Sequence, residues 1–314
     1  MRPGLELWRY VKKIRGIEMD FVEAKTLLRK VQFDKTRWFG IDYIMNLYKG
    51  CNHGCIYCDS RSDRYFIKDF DKVRGKVGIE TILSKELRYR KAGIIDIGAM
   101  SDTYNLFEKE YCLTRKALKI IRDYGFGISI TTKSNLIERD ADILEDISNR
   151  YAAIIKFSIT CANDRLASSI EPNVVPTSYR LKAMKKLSER GIYVGVLITP
   201  ILPFVTDDVN NIKSIVRLAH EHGAKFVYTK YGMTLSSGQR EYYYKKIDDM
   251  FDGMSSKYQY FYGKEYSCAV RNKCILQKVF IDECNNYGLL YNMEDIIKGN
   301  RICNLYKQLS LFDS

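Results

Sequence analysis

Cys51, Cys55 and Cys58 fall within eight residues of a 314-residue chain, in the stretch MNLYKGCNHGCIYCDSR from Met45 to Arg61. Thiolates are soft ligands, and three so close together point to a metal. A structural zinc ion takes four ligands in a tetrahedron. His53 lies inside the cluster, but its neighbours stand too close for all four groups to face one ion easily. A cubane iron–sulfur cluster fits better, because three cysteines hold three of its irons and leave the fourth open to a substrate. Gly50 and Gly54 suit a loop that must wrap around a bulky inorganic core.

A loop of this kind needs a rigid carrier. From about Trp38 to Tyr231, short apolar runs alternate with charged, helical segments. The runs are FGIDYIMNL, GIIDIGAM, GISITT, AAIIKFSIT, YVGVLIT and AKFVYTK. They are short and β-branched, as buried parallel strands are. Three of the intervening helical segments end on Gly125, Gly191 and Gly223, where a helix C-terminus favours glycine. Six strands alternating with helices predict an α/β fold, a partial (β/α)6 barrel with a C-terminal extension. The cysteines follow the first strand, Phe39 to Leu47, at the end of the barrel where such folds carry their chemistry. The expected organisation is a leader (1–36), the barrel (37–235), a partly helical C-terminal region (236–303) and a tail (304–314).

The composition narrows the setting. Hydrophobic residues make up 46% of the chain, enough for a sizeable core. Nine cysteines, an odd number, argue against a disulfide framework. The N-terminal MRPGLELWRYVKKIRG has no apolar core of a signal peptide, and no run of about 18 apolar residues predicts a membrane span. A reduced, cytoplasmic protein is expected. The formal charge of +13 suggests a polyanionic partner, with nucleic acid the first candidate, although a simple basic surface would give the same number.

The pattern Cys51-x3-Cys55-x2-Cys58, with Tyr57 before the last cysteine, resembles the signature of the radical SAM superfamily. The flanks NLYKGCNHGCIYC and GAMSDTYNLFEKEYCLTRKAL are similar to its spore photoproduct lyase-like branch. The resemblance implies a 4Fe–4S cluster whose open iron chelates S-adenosylmethionine (SAM), and reductive cleavage of SAM to a 5′-deoxyadenosyl radical. It also implies an electron donor such as flavodoxin or ferredoxin. Carried over position by position, it implies that Ser101 and Asp102 hold the SAM amino group and that Lys133 meets the carboxylate. Ser158 is then a further polar contact, Tyr57 lies against the adenine, and Arg180 is a second candidate for the carboxylate. Structural roles compete: Asp102 could cap a helix starting near Leu106, and Lys133 could cap a helix or face solvent.

The chain also departs from that branch. Ala99 stands where the lyase has its hydrogen-donating cysteine, Cys112 is too far along to replace it, and Asp59 stands where an aromatic residue is favoured. The expected activity is therefore a radical SAM reaction on nucleic acid, such as DNA lesion repair, with a different final step. The alternatives are a radical SAM modifier of RNA, peptide or small molecule, and a non-catalytic iron–sulfur DNA-binding protein tethered to the DNA polymerase sliding clamp. Cys268, Cys274, Cys284 and Cys303 could hold a second cluster, but their wide spacing favours buried free thiols. Cys161 reads as core, and His220 and His222 read as a helix end. The Tyr-rich stretch Arg240 to Tyr266 suits either unstacked bases or packing on the barrel. Gln308, Leu309, Ser310, Leu311 and Phe312 spell QLSLF, which resembles the peptide that docks bacterial repair proteins on the DNA polymerase sliding clamp.

Overall fold

The computed structural model describes residues 19–34 and 36–300. The QLSLF peptide and Cys303 lie outside the described residues.

Twelve strands occur among them. In chain order they are β1 (Asp20–Val22), β2 (Leu28–Lys30), β3 (Tyr43–Met45), β4 (Tyr48–Lys49), β5 (Arg74–Lys76), β6 (Ile94–Ile97), β7 (Gly127–Thr132), β8 (Ala153–Ser158), β9 (Tyr193–Ile198), β10 (Phe226–Thr229), β11 (Gly232–Thr234) and β12 (Ser267–Ala269). The central sheet runs β10-β9-β8-β7-β6-β3-β2, parallel throughout except for antiparallel β2. The six parallel strands follow one another in chain order, each crossover carrying helix: α1 (Ile79–Arg88), α2 (Glu108–Tyr111) with α3 (Leu113–Asp123), α4 (Ala141–Arg150), α5 (Asp164–Ile170) with α6 (Thr177–Glu189), and α7 (Val209–Glu221). β2 and β10 are the edge strands of this open, barrel-like sheet.

Every residue of β8 and β9 is buried, as expected for parallel strands covered on both faces. Alternate residues divide between the helix-covered face and the lumen. Ile155 and Phe157 join the large core under the helices, while Ile154 and Leu197 join a separate cluster with Phe39, Tyr193 and Phe226 that plugs the lumen. Phe39 packs on Phe226 at 5.6 Å, and a side chain at Gly195 would strike the Phe226 ring.

The first strand is shorter than its apolar run suggests. Trp38–Gly40 forms a turn with Trp38 and Phe39 at φ 38° and 60°, so these residues serve the plug and not the sheet. The C-terminal region is more regular than expected, with α8 (Gln239–Asp248), α9 (Met254–Tyr262) and α10 (Lys273–Asn286). The expected boundary after residue 235 falls between paired strands, since β11 pairs with β12. Val227 of β10 also donates to Leu290 O at 2.9 Å, so residues beyond 236 cover the edge of the central sheet.

Candidate active site

The cysteine loop leaves β4 through Gly50, whose φ of 81° and position 2.6 Å (as a built Cβ) from Phe70 O admit no side chain. Backbone bonds pin the loop on several sides: Cys51 N to Phe70 O at 2.8 Å, Ile56 N to Ile170 O at 3.1 Å and Asn173 N to His53 O at 3.1 Å. Cys51, Cys55 and Cys58 all line one cavity of about 610 Å³. Among the described residues, no three His, Cys, Asp or Glu side chains form a group that could hold a metal ion. Three soft donors spread around a roomy cavity fit a bulky cluster better than a single ion. Burial pushes all three thiols up, Cys51 to about 12, so a metal must displace their protons on binding.

The facing wall comes from the C-terminal ends of β6, β7 and β8. Gly98, at φ 95°, lets the β6 end approach Thr131 of β7, whose carbonyl oxygen would lie 2.5 Å from a built Cβ. Ser101 donates its hydroxyl to Gly50 O and so ties this wall to the cysteine loop. Asp102 accepts from Tyr104 N (2.9 Å), Thr132 Oγ1 (2.8 Å) and Lys133 N (2.7 Å), and pairs with His53 Nδ1 at 3.5 Å. It staples β6, β7 and the cysteine loop together, and α2 begins only at Glu108, without a side-chain cap. Lys133 is turned inward, its Nζ 5.7 Å from the centroid of the Tyr57 ring. Burial alone would lower its pKa, but Cys55 when ionised as a thiolate, Glu171 and Asp102 more than offset this and raise it. Ser158 is buried, with Oγ 3.5 Å from Thr199 O. Tyr57, Ser101, Asp102, Lys133 and Ser158 all line the cavity with the cysteines.

Arg180 does not line it. The guanidinium is buried behind the wall, donating to Val175 O and Ser158 O, each at 2.9 Å, and to Glu171. Glu171 also accepts from the Tyr57 hydroxyl, which lies 3.2 Å from Thr160 Oγ1. Arg180 thus braces Tyr57 and the end of β8 from behind. Sequence reasoning missed Glu171, whose place at a helix end before Pro172 reads as an exposed carboxylate.

It also missed a second buried group. Lys156 of β8 donates to Asp96 Oδ1 of β6 (2.7 Å) and to Ser129 Oγ of β7 (2.6 Å), all three side chains being buried. Burial lowers the Lys156 pKa, and the Asp96 carboxylate opposes that shift. The visible signal was a charge inside each apolar strand run, in AAIIKFSIT and GIIDIGAM.

Ala99 lines the cavity, whereas Cys112 does not and packs its sulfur 3.5 Å from an Arg139 nitrogen. Asp59 lines the cavity and accepts from Tyr65 OH at 2.6 Å and Thr234 Oγ1 at 2.9 Å. Cys161 is buried, Cys268 and Cys284 belong to different core clusters, and Cys274 is exposed. His222 at the end of α7 pairs Nδ1 with Leu218 O at 2.8 Å, and His220 packs on Tyr287. In the Tyr-rich stretch, Tyr243 and Tyr258 are core, linked hydroxyl to hydroxyl at 2.9 Å, while Tyr260 is exposed.

The profile of the radical SAM superfamily matches residues 45–219, more than half of the chain. The fold is that of a spore photoproduct lyase variant solved with bound AdoMet and dinucleoside spore photoproduct. The TM-score is 0.63 at 15% identity, covering 86% of this chain and 80% of that one. An uncharacterized protein of Mycobacterium tuberculosis is 24% identical over 272 residues, 83% of this chain and 79% of its own. Another, of Methanocaldococcus jannaschii, is 32% identical over 193 residues, 59% and 70% of the two chains. No described helix is long and apolar enough to cross a membrane. The chain belongs to the radical SAM superfamily, whose members work with a 4Fe–4S cluster and SAM.

Proposed function

We propose that this radical SAM protein is an enzyme acting on nucleic acid, with a lesion in DNA as its substrate. The observation that carries the reading is one cavity shared by three cysteines and by Tyr57, Ser101, Asp102, Lys133 and Ser158, on a fold shared with an enzyme solved with a dinucleoside photoproduct. The charge of +13 supports a polyanionic substrate.

Cys51, Cys55 and Cys58 hold the cluster. When bound, the cluster and SAM supply a 5′-deoxyadenosyl radical that takes hydrogen from an unactivated carbon. Lys133 places a fixed positive charge where a carboxylate would bind, and Asp102 a negative one for an ammonium. Ser101 and Ser158 add polar contacts, and the Tyr57 ring offers an aromatic face, its hydroxyl already committed to Glu171. Arg180 acts through Glu171 and Ser158 as a positioning residue. Ala99 has no transferable hydrogen like that of a thiol, so the reaction closes by a different donor from that of the lyase. The QLSLF tail would tether the enzyme to the sliding clamp.

The test is anaerobic: reconstitute the cluster, add reductant and SAM, and quantify 5′-deoxyadenosine with and without ultraviolet-irradiated DNA. Formation that Cys58→Ala abolishes and irradiated DNA stimulates is expected. Formation indifferent to DNA would move the substrate to RNA, peptide or small molecule. None, with the cluster intact, would leave an iron–sulfur DNA-binding protein. Deleting Gln308 to Ser314 is expected to abolish binding to the sliding clamp; unchanged binding would remove the tether.

A further inference from the structure

The lumen floor beneath the cysteine loop holds charge that the fold does not require. Asp96, Ser129 and Lys156 sit on three neighbouring strands, surrounded by Ile, Leu and Phe. A buried ion pair is generally no more stable than apolar residues of the same volume. Packing therefore does not explain why charges stand here.

The hydrogen bonding is one-sided. Lys156 Nζ and Ser129 Oγ both donate to Asp96 Oδ1, each at 2.7 Å, and Oδ2 accepts neither bond. Lys156 is held from the other side by aromatic faces, its Nζ 4.7 Å from the Phe39 ring and 5.7 Å from the Trp38 ring. Asp96 lines the cavity and Lys156 does not. The pair thus presents an oriented acceptor to the cavity, and only a donor, an N–H or O–H, can complete it.

Two neighbours define what carries that donor. Trp38 lines the same cavity on a backbone at φ 38°, a conformation bulky residues rarely adopt. Backbone strain of this kind clusters at functional sites. Phe39 and Tyr228 meet the Trp38 ring edge-to-face at 5.3 and 6.2 Å and fix its orientation. Lys230, exposed at the end of β10, also lines the cavity and holds its ammonium 5.4 Å from the Trp38 ring. A planar wall, a hydrogen-bond acceptor and an exposed cation match the three parts of a nucleotide: ring, ring or sugar donor, and phosphate.

We infer that this floor is the nucleotide-reading subsite of the enzyme: Asp96, clamped by Lys156 and Ser129, accepts a hydrogen bond from a substrate nucleotide whose ring lies on Trp38 and whose phosphate meets Lys230. The inference rests on the nucleic-acid reading above and adds the part of the substrate that each residue recognises.

The experiment is anaerobic calorimetry on the reconstituted holoenzyme with SAM, titrated with the 5′-phosphorylated thymidine dinucleotide. The double variant D96N/K156M removes both charges, so none is left stranded, and it is expected to weaken dinucleotide binding about tenfold. Trp38→Leu, which leaves the pair untouched, is expected to weaken it by a similar factor, about tenfold. Lys230→Ala should cost roughly threefold and flatten the salt dependence. If all three variants bind the dinucleotide like the parent protein, the subsite is overturned and the nucleic-acid reading stands. If D96N/K156M loses SAM and keeps the dinucleotide, Asp96 belongs to the cofactor and the inference fails. A parent protein that binds neither the dinucleotide nor longer DNA overturns the nucleic-acid reading and this subsite with it.

Discussion

Two buried ion pairs flank the cavity, built from the same parts: a cation, a carboxylate and a hydroxyl. Arg180, Glu171 and Tyr57 form one, and Lys156, Asp96 and Ser129 the other. They differ in what is left over. Arg180 spends Nε and both terminal nitrogens on protein acceptors, and each Glu171 oxygen has a donor. Neither charged group lines the cavity. Asp96 collects its two donors on a single oxygen and does line it. Buried charge alone therefore does not mark a binding site. A saturated pair joins chain segments, here α5, α6, the end of β8 and the cysteine loop, whereas a pair with spare capacity facing a cavity is available to a ligand.

The sharpest way to break this contrast is Arg180→Ala. It strands Glu171 in the interior, and breaking a fully buried pair costs about 3–5 kcal/mol. A large fall in the urea or thermal midpoint is expected, and a midpoint equal to that of the parent would show that the pair is not a structural joint. Replacing both charges together, as E171L/R180M, should recover most of the loss, because no charge is left unpaired. That double variant still lacks the brace on Tyr57, so reconstituted iron content should stay below the parent's. Iron content equal to the parent's would separate the pair from the cysteine loop.

Tyr57→Phe sharpens the same point with a smaller change. The ring stays and only the hydroxyl goes, leaving a Glu171 oxygen without its donor, at a cost of about 1–3 kcal/mol. Urea denaturation of the apoprotein reads this without the cluster. A loss beyond that range would mean that the ring had moved as well.

The barrel was legible because parallel strands covered on both faces read as unbroken apolar runs, and all six expected runs contain a strand of the central sheet. The same rule misled at Phe39, where apolar residues are buried in a lumen plug at positive φ and not in a strand. The cysteine loop was legible because its chemistry is local. The two ion pairs were not, because one needs strand register across the sheet and the other the placement of one helix against the next. Lys156 and Asp96 are 60 residues apart, and nothing near either names the other. Arg180 reads in sequence as a SAM contact although its partner Glu171 is only 9 residues away, because the two lie on different helical segments whose packing the sequence does not state. The regular C-terminal helices were hidden by interleaved Tyr and Lys, where core tyrosines such as Tyr243 and exposed ones such as Tyr260 look alike in sequence.

An exposed pair sets the lower end of the scale. Arg115 forms two bonds to Asp142, at 3.0 and 2.8 Å, with the side chains 26% and 59% exposed. The geometry rivals that of the buried pairs, but water and salt screen it, so Asp142→Asn should cost only about 0.2–1 kcal/mol. The hydrogen bond from Arg115 holds the Asp142 carboxyl below its ordinary 3.8. Because the folded state has the lower pKa, the unfolded chain takes up the proton first as pH falls. The contribution is therefore complete above about pH 4, the ordinary range of an aspartate, and fades as pH drops through the folded value. Urea midpoints of the parent and Asp142→Asn should differ slightly at pH 7, less at high salt, and converge in acid. A gap that persists in acid would assign the effect to packing and not to charge. A gap at pH 7 as large as that of Arg180→Ala would remove burial as the reason the inner pairs matter.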